Sequence, residues 1–194
     1  NGCELRNAAD NVRSGIISYL GHDPELFNDS VRNNVLLGDD YDVFEYLRAV
    51  CMDKEVEAME QGADTIIGSE GIRLSGGQAQ RIALARMLCH KKLVLVLDDP
   101  FSALDRNTEE QIYKKLKDMA SDNIVILISH RLYMFPKMDK VIWMDAGKAN
   151  VGTHKELMLE CPGYRKMYET VSVEECRTVE TENEGLAAAC LLYT

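Results

Sequence analysis

Two short stretches hold side chains whose types and spacing could do phosphate chemistry. Leu74-Ser75-Gly76-Gly77-Gln78 is a glycine-rich turn ahead of a strong helix former, Ala79–Cys89, and an apolar run, Leu93–Leu97, ends in Asp98-Asp99-Pro100. A turn that opens a helix presents backbone N–H groups to an anion, and a carboxylate ending a buried strand can hold Mg²⁺. Together they predict a machine driven by a nucleotide. The loop Gly-x-x-x-x-Gly-Lys-Ser/Thr, which would grip the β- and γ-phosphates, does not occur. The one Gly-Lys pair, Gly147-Lys148, is followed by Ala149 and lacks the upstream glycine. Half of such a phosphate site is missing from these residues.

The elements that must position these groups follow from periodicity. Ile16–Leu20 is a short β-prone run that breaks at Gly21-His22-Asp23-Pro24, so a strand delivers His22 and Asp23 to a loop. From Ser30 to about Gln61 apolar residues fall at helical spacing (Val31, Val35, Leu36; Val43, Phe44, Leu47, Val50; Val56, Met59), which predicts a helical insert. Gly62, Gly68 and Gly71 punctuate a loop into the Leu74–Gln78 turn, and Ile82, Ala85 and Cys89 mark the inner side of the helix after it. Leu93–Leu97 and Ile124–Ile128 are near-continuous aliphatic runs, the mark of parallel strands covered on both faces. They flank an amphipathic helix over Asn107–Met119 with Ile112, Leu116 and Met119 inside and a Glu110–Lys114 pair outside, which makes a βαβ unit. Val141–Met144 supplies another strand turned by Ala146-Gly147-Lys148, and Thr153-x-x-Glu156 is a capping box for a last helix. The expected fold class is α/β with a parallel sheet.

Composition bounds the partners. The chain of 194 residues is 46% hydrophobic and 28% charged, which suits a globular domain with a real core, and its formal charge of −10 with no basic stripe argues against nucleic acid. Lys114, Lys115 and Lys117 read as the wet face of a helix. The apolar runs are strand-sized, far below the roughly 20 residues of a membrane helix. Six cysteines without Cys-x-x-Cys spacing signal neither a zinc site nor a disulfide framework. The start, Asn1-Gly2-Cys3-Glu4, reads as a cut, and residues 171–194 lose helical periodicity. Cys190–Thr194 back-translates to a common sequencing-adapter end, so read-through at a fragment boundary is expected and no function is assigned to the tail.

In order, the chain carries Gly-His-Asp-Pro-Glu-Leu-Phe (21–27), LSGGQ (74–78), QRIALARML (80–88), LVLVLDDP (93–100), FSALD (101–105) and ISHR (128–131). This series resembles the ATP-binding cassette of ABC transporters from residue 1 to about 170. The resemblance implies a P-loop NTPase (RecA-like) parallel sheet with a helical signature subdomain. It divides the chain into a core strand and Q-loop-like region (1–29), a helical signature subdomain (30–89), and a RecA-like core with C-terminal hairpin and helices (90–170). It further implies ATP and Mg²⁺ as ligands and a head-to-tail dimer of cassettes, each ATP lying between the phosphate loop of one and the LSGGQ of the other. In that scheme Ser75, Gly76, Gly77 and Gln78 contact the partner's nucleotide, Asp98 acts on Mg²⁺, Asp99 holds the place of the general base, and His130 contacts the γ-phosphate. Asp105 lies in the dimer-contact loop, although by itself it reads equally as a helix start. Transmembrane helices fused upstream and a place on the cytoplasmic face of the plasma membrane are implied as well.

Two departures matter. The family has a glutamate where this chain has Asp99, and losing one methylene withdraws the carboxylate by about 1.5 Å, while a base must sit within about 2.6–3.2 Å of its proton donor. Weak hydrolysis is expected. The usual Mg²⁺-ligating glutamine is His22, whose imidazole suits softer metals, so His22 is read as a positional relic or a coupling contact. Thr65–Gly71 resembles the exporter loop that touches membrane domains, with Ser69 in place of its glutamate and Glu70 one position along. A weakened base beside an intact LSGGQ is the pattern of an exporter with two non-identical cassettes. The alternatives are a non-hydrolysing regulatory cassette and a soluble protein of translation or DNA repair.

Overall fold

A computed structural model describes residues 4, 7–68, 71–145 and 147–170, in two units that meet in sequence between Ser129 and His130. In the first, a short helix α1 (Asp10–Ile16) leads into β1 (Ile17–Leu20). Two-residue strands β2 (Asp29–Ser30) and β3 (Ile66–Ile67) pair antiparallel around three helices, α2 (Val31–Leu36), α3 (Val43–Ala49) and α4 (Asp53–Glu57). The long helix α5 (Gly76–Cys89), β4 (Val94–Asp98), α6 (Arg106–Met119) and β5 (Ile124–Ile128) complete it. The sheet order is β1-β4-β5, all parallel, with Tyr19 opposite Val96 and Val96 opposite Ile126. The expected helical insert, βαβ unit and parallel sheet are all present.

Local chemistry explains where the helices begin. Ser30 caps α2 by accepting from the Asn33 N–H at 3.0 Å, Asp42 caps α3 through Phe44, and Asp105 caps α6 through Thr108. The helical insert is closed by Asn34, which has no exposed surface. Its amide accepts from the Phe27 N–H at 2.8 Å and donates to the Phe27 and Ser30 carbonyls, both at 3.0 Å. Arg86 of α5 donates to the Asn34 carbonyl and side chain and lies 4.8 Å over the Phe27 ring. A buried polar group is tolerated there because its hydrogen bonds are made.

The sheet has two unlike faces. Leu20, Leu95 and Leu97 are buried, with α5 packed against β1. On the other face Tyr19, Ile124, Ile126 and Ile128 are 63, 57, 38 and 49% exposed. This corrects the expectation of a strand covered on both faces. β5 is an outer strand of the described sheet, and every residue of it but Leu127 is exposed, Val125 on the Leu95 face included. Cys89 and Met119, expected inside, are half-buried.

The second unit pairs β6 (Val141–Asp145) antiparallel with β7 (Lys148–Gly152), the expected hairpin, after a 3₁₀ segment Leu132–Lys137. The capping box forms as read: Thr153 accepts from the Glu156 N–H, and Glu156 accepts from the Thr153 N–H, at the start of α7 (His154–Glu160). Tyr164 is its buried centre, stacked with Phe135 and edge-on to Trp143, with its hydroxyl 2.7 Å from His154 Nδ1. Burial pushes the Tyr164 phenol up to about 12. Cys51, Cys89 and Cys161 are free thiols. Among the described residues no helix is long and apolar enough to cross a membrane. The residues after 170, and Ser69 and Glu70, lie outside the described part.

The contrast between buried Leu97 and exposed Ile126 makes a direct prediction. Leu97→Ala should cost about 2–5 kcal/mol, whereas Ile126→Ala, on the exposed face of a neighbouring strand, should cost about 1 kcal/mol or less. Urea unfolding midpoints of the two variants measure the difference.

Candidate functional site

Parallel strands bring their C-terminal ends to one rim, where α/β sheets bind ligands. Leu20 of β1 lies beside Leu97 of β4, and Asp98 lies beside Ile128 of β5. The Gly21–Asn28 loop carrying exposed His22 therefore leaves the sheet next to the strand that ends in Asp98. Asp98 shares the open sheet face with Tyr19, whose hydroxyl donates to its Oδ2 at 3.0 Å. That hydrogen bond and the carboxylate charge raise the Tyr19 phenol above its usual range. A strand-end carboxylate such as that of Asp98 is the kind of oxygen donor that Mg²⁺ takes along with water, while among the described residues no group of three or more His, Cys, Asp or Glu side chains is arranged to hold a metal ion.

Asp99 is different in kind. Its φ is +46°, in the left-handed region that a non-glycine residue occupies only when held there. Three contacts hold it: its N–H donates to the Ile128 carbonyl at 2.8 Å, and its carbonyl accepts from the Ser102 N–H at 3.2 Å and from Gln80 Nε2 at 3.0 Å. The chain then turns through Phe101–Leu104 to Asp105, which caps α6. Hydrogen bonds from the Thr108 side chain and N–H hold the Asp105 carboxyl below the usual range.

The glycine-rich turn is built as a helix start. Ser75 is the N-cap of α5, accepting from the Gln78 N–H at 3.2 Å, and Gln78 Oε1 accepts from the Ser75 N–H at 2.9 Å, a reciprocal capping box. The two glycines differ. A Cβ at Gly76 would meet nothing within 4 Å among the described residues, so their packing does not demand glycine there. A Cβ at Gly77 would lie 3.0 Å from the Ala103 carbonyl, so Gly77 lets α5 press against the 101–105 turn. Gln78 Nε2 also donates to Glu55 at 2.8 Å, and Glu55 pairs at 2.7 Å with Arg81, which donates in turn to the Cys51 carbonyl. The turn is thereby pinned to α4.

Asp98, Asp99, Asp105, His22 and Ser75–Gln78 all belong to the first unit, whereas exposed His130 opens the second. Sequence reasoning missed Tyr19, Gln80, Glu55 and Arg81. Gln80 left a signal: it is a polar residue in the stripe of α5 that includes Ala83, Leu84 and Met87, all buried.

Partial burial pushes the Glu55 carboxyl up, but hydrogen bonds from Gln78 and Arg81 outweigh it and leave it below its ordinary 4.5. A carboxyl with a depressed folded value contributes stability above its unfolded pKa and loses that contribution as pH falls through the folded one. Lowering pH below 4.5 should therefore loosen the turn, and Glu55→Gln should flatten the fall in urea midpoint between about pH 6 and pH 3. With Glu55 two-fifths exposed, the effect is expected to stay under about 1 kcal/mol.

Similarity to known proteins extends over most of the chain. Residues 1–102 match the family model described as ABC transporter. The ATP-dependent lipid A-core flippase of Alcanivorax borkumensis is 35% identical over 178 residues, 89% of this chain and 29% of that protein. The probable multidrug resistance ABC transporter ATP-binding/permease protein YheI of Bacillus subtilis is 35% identical over 160 residues, 80% and 27%. ABC transporter B family member 1 of Dictyostelium discoideum is 36% identical over 154 residues, 77% and 17%. The solved structure of a bacterial Atm1-family ABC exporter with ATP bound superposes with a TM-score of 0.78 at 28% identity, over 87% of this chain and 30% of that one. The chain spans less than a third of the length of these relatives.

Proposed function

Because the chain belongs to the ABC transporter family, as an exporter-type nucleotide-binding domain with the P-loop NTPase fold, we propose that it is the ATP-binding part of an exporter whose own hydrolytic site is weak and whose signature serves a second, non-identical cassette. One observation carries this reading. The capped N-terminus of the 14-residue α5 presents exposed Ser75 and a Gly76 whose Cβ position meets no described atom within 4 Å, which leaves room for close approach from outside.

The roles follow from position. Gly76 and Gly77 N–H groups, at the positive end of α5, face developing negative charge on a phosphate held by the partner. Asp98 offers its carboxylate to Mg²⁺ at the strand end, with Tyr19 fixing one of its oxygens. Bound Mg²⁺ neutralises phosphate charge during phosphoryl transfer. Asp99 stands where a base would take a proton from water, one methylene short. His130 is assigned to the γ-phosphate, His22 to a coupling contact rather than metal ligation, and Asp105 to the cassette interface. The exposed face of Tyr19, Ile124, Ile126 and Ile128 is where the helix of a phosphate loop from a longer protein would pack, with membrane helices fused beyond it. The domain division at 29/30 and 89/90 belongs to the same reading, as does a place on the cytoplasmic side of the membrane.

Kinetics on the intact two-cassette complex tests the asymmetry. Ser75→Arg should abolish most ATPase activity by putting bulk and charge where the partner's γ-phosphate docks, while Asp99→Asn should change the rate little. Loss of turnover with Asp99→Asn would instead make Asp99 the working base of a symmetric pump.

A further inference from the structure

Asp99 and the glycine-rich turn serve different nucleotides in the reading above, yet one side chain spans the distance between their elements. Gln80 is 3% exposed and sits one helical turn into α5, with its Nε2 donating to the Asp99 carbonyl at 3.0 Å. Its Oε1 faces the Ser102 hydroxyl at 3.4 Å, so both ends of the amide engage the 99–102 turn. The Ser102 N–H shares the same Asp99 carbonyl. Gly77, one turn earlier, lets the α5 backbone reach the Ala103 carbonyl of that turn. The left-handed Asp99 backbone costs free energy, and it persists because its amide and carbonyl are both held. Its N–H is fixed by β5, and its carbonyl is fixed in part by α5.

We propose that Gln80 is a positioning residue: it sets the direction of the Asp99 carboxylate by holding the Asp99 carbonyl, and so makes the helix carrying Ser75–Gln78 and the loop carrying Asp99 turn as one body. The proposal rests on the reading of Asp99 as a base position. Two consequences distinguish it from mere core packing. Removing the donor while keeping the shape releases the loop without loosening the helix, and it affects proton transfer at Asp99 rather than nucleotide binding.

Two variants separate these. Gln80→Glu keeps the shape but replaces the donor with an acceptor, and Gln80→Met keeps length and packing with no polar end. Hydrogen–deuterium exchange on the full chain should show amides of residues 99–105 exchanging about ten-fold faster in both, with residues 81–89 of α5 unchanged. In the intact transporter carrying Asp99→Glu, which restores the missing methylene and should raise turnover, adding either Gln80 variant should remove most of that gain in kcat with KM unchanged. Unchanged loop exchange in both variants, exchange rising equally in α5, or an Asp99→Glu gain indifferent to Gln80 would each overturn the proposal. If the loop loosens selectively while Asp99→Glu adds no turnover, Gln80 holds the loop as stated and the hydrolytic reading of Asp99 is what fails.

Discussion

Everything functional in the first unit hangs on the polar anchoring of α5. Its apolar side chains Ile82, Leu84, Ala85 and Leu88 supply burial, but burial is non-directional and would let the helix slide or rotate. The polar side chains remove that freedom. Gln78 reaches Glu55 on α4, Gln80 the Asp99 carbonyl, Arg81 the Cys51 carbonyl, Arg86 the Asn34 carbonyl and side chain, and His90 the Val35 carbonyl. Each bond alone is worth about 1 kcal/mol. Together they leave one register and one rotation in which every partner is met, and hence one place for the Ser75–Gln78 turn.

The same anchoring explains why two kinds of residue occur in the turn. Ser75 and Gln78 consume each other's backbone N–H groups in the capping box, which frees the helix start from needing a ligand in order to form. Gly76 then remains as the glycine that packing among the described residues does not demand, and Gly77 as the one that it does. A turn of this design is pre-formed, because the protein itself satisfies the groups that shape it.

Much of this was legible in the sequence. The aliphatic runs gave β4 and β5, the helical spacing after Ser30 gave α2 to α4, Thr153-x-x-Glu156 gave the cap of α7, and the order of motifs gave the family. What stayed hidden was of two kinds. Long-range polar contacts such as Gln80 to Asp99 or Arg86 to Asn34 carry no local period, so only the fold reveals which buried polar residue meets which carbonyl. Burial of a strand is likewise set by what lies over it: Ile124–Ile128 has the composition of a strand covered on both faces, and its exposure depends on the layers around it rather than on its own residues.

The sheet order carries a consequence for how the chain is made. β4, α6 and β5 are close in sequence and can pair as soon as they are complete, but β1 must wait, because its neighbour β4 lies beyond the whole helical insert. The described pairing of β1 with β4 can therefore form only after the helices α2 to α5 between them have been made. The insert thus sets the loop-closure entropy for docking β1. A substitution that disorders Asn34 or Arg86 would slow the closing of β1 onto β4 without touching either strand, and would register as low yield of folded protein rather than as a change at the strand ends.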